Sequence, residues 1–272
     1  MVFQNEEIAP QTGVIAPLQI TLLGTGTSQG IPVIGCKCKV CHSPDTKNQR
    51  LRTAAFIQAG DFGVAIDIGP DFRRQMLDNH IDNVHAVLLT HEHNDHISGL
   101  DDIRPINFLH HRDIPFYGGS RTISEMHRRF YYAFDKAYHY PGKPVVHSIV
   151  IDEQPFTIGD IPILPIMIDH GDMPIFGYRI GSLAYITDAK TIPPASREQL
   201  FGLDVLILNA LRFKPHLTHL NIEEALKVCE ELQPKQCFLT HISHEMGLQE
   251  EVNAMLPAHI RLGYDGQTIK LA

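Results

Sequence analysis

From residue 18 onward, short apolar runs alternate with stretches of helical period, separated by Gly, Pro and Asp. The apolar runs predict strands at 18–23, 54–59, 63–68, 86–90, 161–168, 184–187, 205–208 and 237–240. The helical period predicts helices at 72–79, 97–102, 120–137, 222–232 and 245–255. The fourth helix has a start signal: Asn221 can cap it, and Glu224 completes a box-like pair. Strands and helices mix along the chain, which predicts an α/β or α+β protein. Residues 1–17 are polar and interrupted by proline, and a loosely ordered extension is expected there, with one domain over 18–272.

Several apolar runs end directly in side chains that can bind metals. GVAI ends at Asp67, and AVLLT runs into His91, His93, Asp95 and His96. ILPIMI leads to Asp169 and His170, LAYIT to Asp188, and CFLT to His241. Strands of such sheets carry function in the loops beyond their ends. Five strands delivering His or Asp at the same end would gather those groups around one cavity.

Composition sharpens this picture. The chain has 272 residues, 43% apolar and 20% charged, ordinary for a globular protein with a sizeable core. No apolar run is long enough to span a bilayer as a helix. The first twenty residues show neither a basic n-region nor an unbroken apolar h-region, so a cytoplasmic location is expected. A net charge of -8 argues against a dedicated nucleic-acid binder. The 17 His and the clustering of three of the 5 Cys point to metal chemistry rather than a disulfide framework.

His91, His93, Asp95 and His96 form H-x-H-x-D-H. In extended chain, residues two apart face one side, so His91, His93 and Asp95 can converge, and His96 needs a turn into the helix expected at 97. Four ligand-type groups are too many for one ion with an open position, but they can divide between two. Cys36, Cys38 and Cys41 form C-x-C-x-x-C, three thiolates that need one more ligand to close a tetrahedral zinc site. Cys229 and Cys237 fall in a predicted helix and strand and read as buried small apolar residues, so a His is the better fourth ligand. The glycines of 24–30 lack the spacing of a dinucleotide fingerprint, and no Gly-Lys-Ser/Thr follows them, so they read as a tight turn.

H-x-H-x-D-H after an apolar strand, followed in order by His170, Asp188 and His241, resembles the metallo-β-lactamase superfamily signature. The resemblance covers nearly the whole chain from about Leu18 and implies an α+β fold, the four-layer αββα sandwich, with a two-metal site at one edge. It implies that His91, His93 and His170 hold one ion, that Asp95, His96 and His241 hold the other, and that Asp188 bridges them. It gives Asp67 a supporting place behind the ligands. L-G-T-G-T-S-x-G, then C-x-C-x-x-C, then His241-x-x-His244 is similar to the phosphodiesterase branch of that superfamily, the branch that contains phosphoribosyl cyclic phosphodiesterases. That similarity implies a structural zinc on Cys36, Cys38, Cys41 and His244. It also implies a catalytic His ahead of the final metal His. His219 matches that position, with His216 as the nearby rival and Asp95 also counted at the chemical step.

Residues 104–147 carry seven basic and three acidic residues and nine Phe or Tyr, between the His cluster and His170. A basic, aromatic insertion there suits an anionic substrate with a ring or sugar, although an amphipathic helix with core aromatics, or an interface, accounts for the same pattern. The expected function is hydrolysis of a small phosphate diester, including cyclic ribose diesters, by hydroxide bridging two divalent ions. His219, as imidazolium, would protonate the departing oxygen. The ligands suit Zn, Mn or Fe. A tRNA 3′-end endonuclease, a carbonyl hydrolase acting on lactone, thioester or lactam, and a non-enzymatic zinc-binding structural or sensor protein are the alternatives. The resemblance also suggests a homodimer.

Overall fold

The computed structural model describes residues 17–135, 137–138 and 141–271. Residues 1–16 of the extension expected at 1–17, and Lys136 and Tyr140 of the basic, aromatic segment, lie outside the described residues. Strand alternation sets the layers. In β2 (Ala54–Ala59), Ala55 and Ile57 enter one buried cluster while Ala54 and Phe56 enter another. A strand buried on both faces in this way reads as a continuous apolar run rather than an alternating one. The first sheet also holds β1 (Leu18–Gly24), β3 (Phe62–Ile66), β4 (Ala86–Leu88), β5 (Ile114–Gly118) and β6 (Val146–Val150). The second holds β7 (Phe156–Ile158), β8 (Ile161–His170), β9 (Met173–Ile180), β10 (Leu183–Ile186), β11 (Val205–Asn209), β12 (Gln236–Thr240) and β13 (Ile260–Leu262). β14 (Gln267–Lys270) returns to the first sheet beside β1. The strand orders are β14-β1-β2-β3-β4-β5-β6 and β13-β12-β11-β10-β9-β8-β7.

Three apolar layers hold these sheets. The middle one joins Ile20, Ile57 and Ile66 of the first sheet to Ile163, Tyr178 and Ile207 of the second. An outer layer packs Phe56 and Phe116 against α1 (Phe72–Asp78) and a later helix over Ser120–Arg129. The other packs Leu206, Leu208 and Leu239 against the helix at Ile222–Leu232. The result is helix, sheet, sheet, helix, the expected αββα sandwich. In order after α1 come α2 (Asn94–Ile97), α3 (Arg104–His110), α4 (Ser120–Arg129), α5 (Tyr131–Phe134), α6 (Pro194–Glu198), α7 (Ile222–Leu232) and α8 (Gln249–Met255). β3 to β6 run parallel, as do β10 to β13, and β8 shares the direction of β10 because both pair antiparallel with β9.

The eight predicted strands and the box at Asn221 and Glu224 are present, while several bounds and elements differ. The helix expected at 120–137 stops at Arg129: Phe130 takes φ -115°, ψ 39°, and a separate turn of helix follows. The helix expected at 97–102 starts earlier, at Asn94, and ends at Ile97 before a 3-10 turn over Leu100–Ile103. The one expected at 245–255 is a 3-10 turn over His244–Met246 and then α8, parted at Gly247 with φ 103°. Residues 104–147 are not an insertion. They contain β5 and the first two residues of β6, and Ile114 and Phe116 are fully buried.

Candidate metal centre and active site

Asp67 follows β3, His91 lies three residues beyond β4, His170 ends β8, Asp188 lies just past β10, and His241 follows β12. Three of them adopt left-handed backbone: φ is 64° at Asp67, 57° at Asp188 and 54° at His241. Such a conformation at a non-glycine residue costs of order 1–3 kcal/mol and clusters where side chains are aimed for function. Gly69 is required here because a Cβ on it would lie 2.0 Å from the Asp95 carbonyl oxygen, so the loop carrying Asp95 can pack against it.

The donors form overlapping groups within 4.8 Å: His91, His93 and His170; His91, His96 and Asp188; Asp95, His96 and His241. His91 Nε2 lies 3.0 Å from His93 Nδ1. His96 Nε2 lies 3.3 Å from Asp95 Oδ2 and 3.4 Å from Asp188 Oδ2, and His241 Nε2 lies 2.9 Å from Asp188 Oδ1. The expected division of ligands is therefore present as a geometry, with Asp188 between the groups. The local reason differs from the expectation: Asp95 meets His96 from the helical turn of α2, with His93 as the N-cap residue, rather than lining up with His91 and His93 in extended chain.

These side chains fit divalent cations. His96 Nε2 and His241 Nε2 are buried and hydrogen-bond to nothing, although carboxylate oxygens lie close by. Burial, and then His96, hold His91 well below the ordinary histidine value, and burial with His170 lowers His93, which favours the neutral form in which an imidazole can ligate a cation. Burial alone would lower His96, but Asp95, Asp188 and Asp67 overcome it and raise that imidazole well above the ordinary value. Three carboxylates around one imidazole are an excess of negative charge that a cation balances.

Behind the donors, Asp67 Oδ2 lies 2.7 Å from His96 Nδ1, and its carboxylate accepts from the Thr90 amide and hydroxyl, each at 2.8 Å. This is the supporting place expected of Asp67; it fixes which nitrogen of His96 faces the site. Thr90 Oγ1 also lies 3.0 Å from His91 Nδ1, and His170 Nδ1 lies 2.8 Å from the Thr218 carbonyl oxygen. Sequence reasoning missed both threonines. Thr90 had a signal, as the polar residue ending the strand before His91; Thr218 acts through its backbone and had none.

His219 and His216 both reach this site. His219 Nε2 lies 3.0 Å from Asp188 Oδ1, and its Nδ1 lies 3.0 Å from Thr218 Oγ1 and 3.1 Å from His216 Nδ1. His219, not His216, touches the donor set. Burial, with His241 and His170 adding to it against Asp188, pushes His219 down to about 4. That direction disfavours the imidazolium expected at neutral pH.

At the cysteine cluster, Cys36 Sγ and Cys38 Sγ lie 3.3 and 3.4 Å from His244 Nδ1, and Cys41 completes a group within 4.8 Å. Three sulfurs and one imidazole nitrogen are the donor set of a closed tetrahedral zinc site. The Cys41 amide pulls the Cys38 thiol down to about 6, whereas burial raises Cys41 to about 11. Cys229 and Cys237 are buried as expected, with sulfurs 3.2 Å apart. The glycine loop does serve close packing: a Cβ at Gly24 would lie 2.0 Å from the Arg52 carbonyl oxygen.

A family profile described as "Beta-lactamase superfamily domain" matches residues 63–242. The chain belongs to the metallo-β-lactamase superfamily. A diphosphatase from the PhnP family, known from its crystal structure, superposes with a TM-score of 0.89 at 39% identity, over 95% of this chain and 98% of that one. The octanoyltransferase of Porphyromonas gingivalis is 40% identical over 253 residues, 92% of this chain and 51% of that protein, so the chain spans about half the length of this curated relative. Zinc-bound PqqB from Methylobacterium extorquens shares the fold, with a TM-score of 0.77 at 16% identity over 93% of this chain and 100% of that one. Family and neighbours indicate a metallo-β-lactamase-fold hydrolase or a related enzyme. No helix among the described residues is long and apolar enough to cross a membrane.

Proposed function

We propose that this chain is a phosphodiesterase that hydrolyses a small phosphate diester with two divalent cations, Zn, Mn or Fe, and carries a third, structural zinc. The observation that carries this reading is the pair of three-donor groups joined at His96 and Asp188. The choice of phosphorus over a carbonyl centre rests on the similarity to the PhnP-family diphosphatase. When bound, the two cations supply Lewis acidity that activates water near neutral pH and neutralises charge on the phosphoryl oxygens.

His91, His93 and His170 would hold one cation, and Asp95, His96 and His241 the other, with Asp188 shared. Asp67 and Thr90 keep His96 and His91 in the tautomers that present Nε2. His219 would present Nε2 to the departing oxygen as a hydrogen-bond donor, steadied at Nδ1 by Thr218 and His216. Octanoyl transfer, the activity in the name of the Porphyromonas gingivalis relative, is not carried over, because the chain spans about half of that protein.

The test is a panel of bis(4-nitrophenyl) phosphate, a lactone and nitrocefin, each with and without chelator. The reading expects hydrolysis of the phosphate diester alone, lost on chelation and restored by added cation. Turnover of the lactone or nitrocefin in preference to the diester would overturn it in favour of a carbonyl hydrolase. Inertness toward all three with every added cation would favour a non-enzymatic metal protein.

A further inference from the structure

The three imidazoles of the His91, His93 and His170 group are not held alike. On the side away from the site, His91 Nδ1 lies 3.0 Å from the Thr90 hydroxyl, and His170 Nδ1 lies 2.8 Å from the Thr218 carbonyl oxygen. His93 turns Nδ1 inward, 3.0 Å from His91 Nε2, and among the described residues its Nε2 has no hydrogen-bond partner. It is also the exposed member of the group. With no partner on its outer nitrogen, its ring is aimed by the backbone that carries it. We infer that Glu92 is a positioning residue: it anchors the segment between His91 and His93 to α4, and so aims His93 Nδ1 at the cation shared with His91 and His170. The inference rests on the two-cation reading above.

Alternation places Glu92 opposite the two ligands. His91 and His93 face the site, so the side chain between them points away, toward the first turn of α4. There the carboxylate is only 6% exposed, and a buried carboxylate is costly without partners. Arg121 Nε lies 2.5 Å from Oε1, an ion-pair contact without the alignment of a hydrogen bond, and the Thr122 hydroxyl donates to Oε2 at 3.3 Å. The far end of the same helix adds a third contact, from an Arg129 terminal nitrogen to the Glu92 carbonyl oxygen at 2.9 Å. α4 thus grips one residue of the ligand loop from its first turn and from its last. The helix is fixed in turn by Ile123 and Met126, buried in the outer apolar layer.

The charges agree with a brace. A cleft of about 320 Å³ lies along these contacts, and its wall sets Arg121 and Arg129 against Glu92 and Glu125, two of each sign. Arg129 Nε donates to Glu125 at 3.2 Å, so both carboxylates are engaged with α4's own arginines. His93 lines the same cleft, directly beside the residue that is gripped.

The experiment is a Co(II) titration of the purified chain in competition with a chelator of known affinity, followed by the visible absorption of the bound ion. His93→Ala identifies the binding step that belongs to this group. Glu92→Ala is expected to weaken that step about 10- to 100-fold and to change its absorption band. The other step, and the zinc of the cysteine cluster, should stay as in the wild type. Glu92→Gln keeps an acceptor for Thr122 but loses the charge facing Arg121, and should fall between wild type and Glu92→Ala. A general loosening of the fold would weaken both steps and release the cysteine zinc as well. An affinity unchanged in Glu92→Ala, or equal weakening of both steps, would overturn the positioning role alone. A wild-type chain that takes up fewer than two Co(II) ions outside the cysteine cluster would overturn the two-cation reading and the role with it.

Discussion

His96 contacts Asp67 through Nδ1 and leaves Nε2, buried and without a hydrogen bond, beside Asp95 and Asp188. The account makes Asp67 a positioning residue, so Asp67→Asn should weaken cation affinity about 10- to 100-fold, measured by competition with a chelator of known affinity. His219→Ala should slow diester turnover about 10²- to 10³-fold while the cation content stays as in the wild type. Loss of cations from that variant would instead make His219 a ligand. At this scale the sequence was legible wherever the chemistry needs a rare side-chain type: His91, His93, Asp95, His96, His170, Asp188 and His241 were readable as candidate ligands because they follow apolar runs, and their donor atoms do come together. The protonation of His219 was not legible, since it depends on burial and on neighbouring imidazoles distant in sequence. Nor was the carbonyl of Thr218, which any residue could supply.

Among the secondary elements, runs buried on both faces were readable as strands. Short edge strands were not: β13 and β14 have three and four residues, too few to establish a period. β9 was hidden by Pro174 and Gly177, which break the apolar pattern although Gly177 packs where a Cβ would lie 2.6 Å from Ile186 Cδ1. The join between β3 and β4 carries a pH-sensitive contact. His85 stacks on Phe62 at 4.2 Å between ring centroids, and its Nδ1 accepts the Gly63 amide at 3.1 Å, which requires a neutral ring. Burial, together with Arg112 and His110, pushes His85 down to about 4 from the ordinary 6.5. A depressed value means that its contribution is complete above about pH 6.5 and is lost as pH falls through about 4. Thermal unfolding from pH 6.5 to 4 should therefore show a shallower fall in Tm for His85→Gln than for the wild type. An identical slope would remove His85 from the account.

The whole molecule brings two halves of the chain to one edge. β3 and β4 deliver Asp67 and the His91 loop from the first sheet, and β8, β10 and β12 deliver His170, Asp188 and His241 from the second. The four-layer arrangement was legible because the order of motifs resembles a known superfamily; periodicity alone reached only a mixed α and β protein. The sheets are clamped near the site, with the Tyr178 hydroxyl donating to the Leu89 carbonyl at 2.5 Å. Only three positions separate His241 from His244, so one short segment touches both donor sets. The most direct measurement is the cation content of the purified chain by elemental mass spectrometry, for wild type, Asp188→Asn and Cys38→Ser. The account predicts about three ions per wild-type chain, about one in Asp188→Asn, held by the cysteine cluster, and the loss of that zinc in Cys38→Ser. A wild-type chain that binds no more than one ion under any loading condition would contradict it.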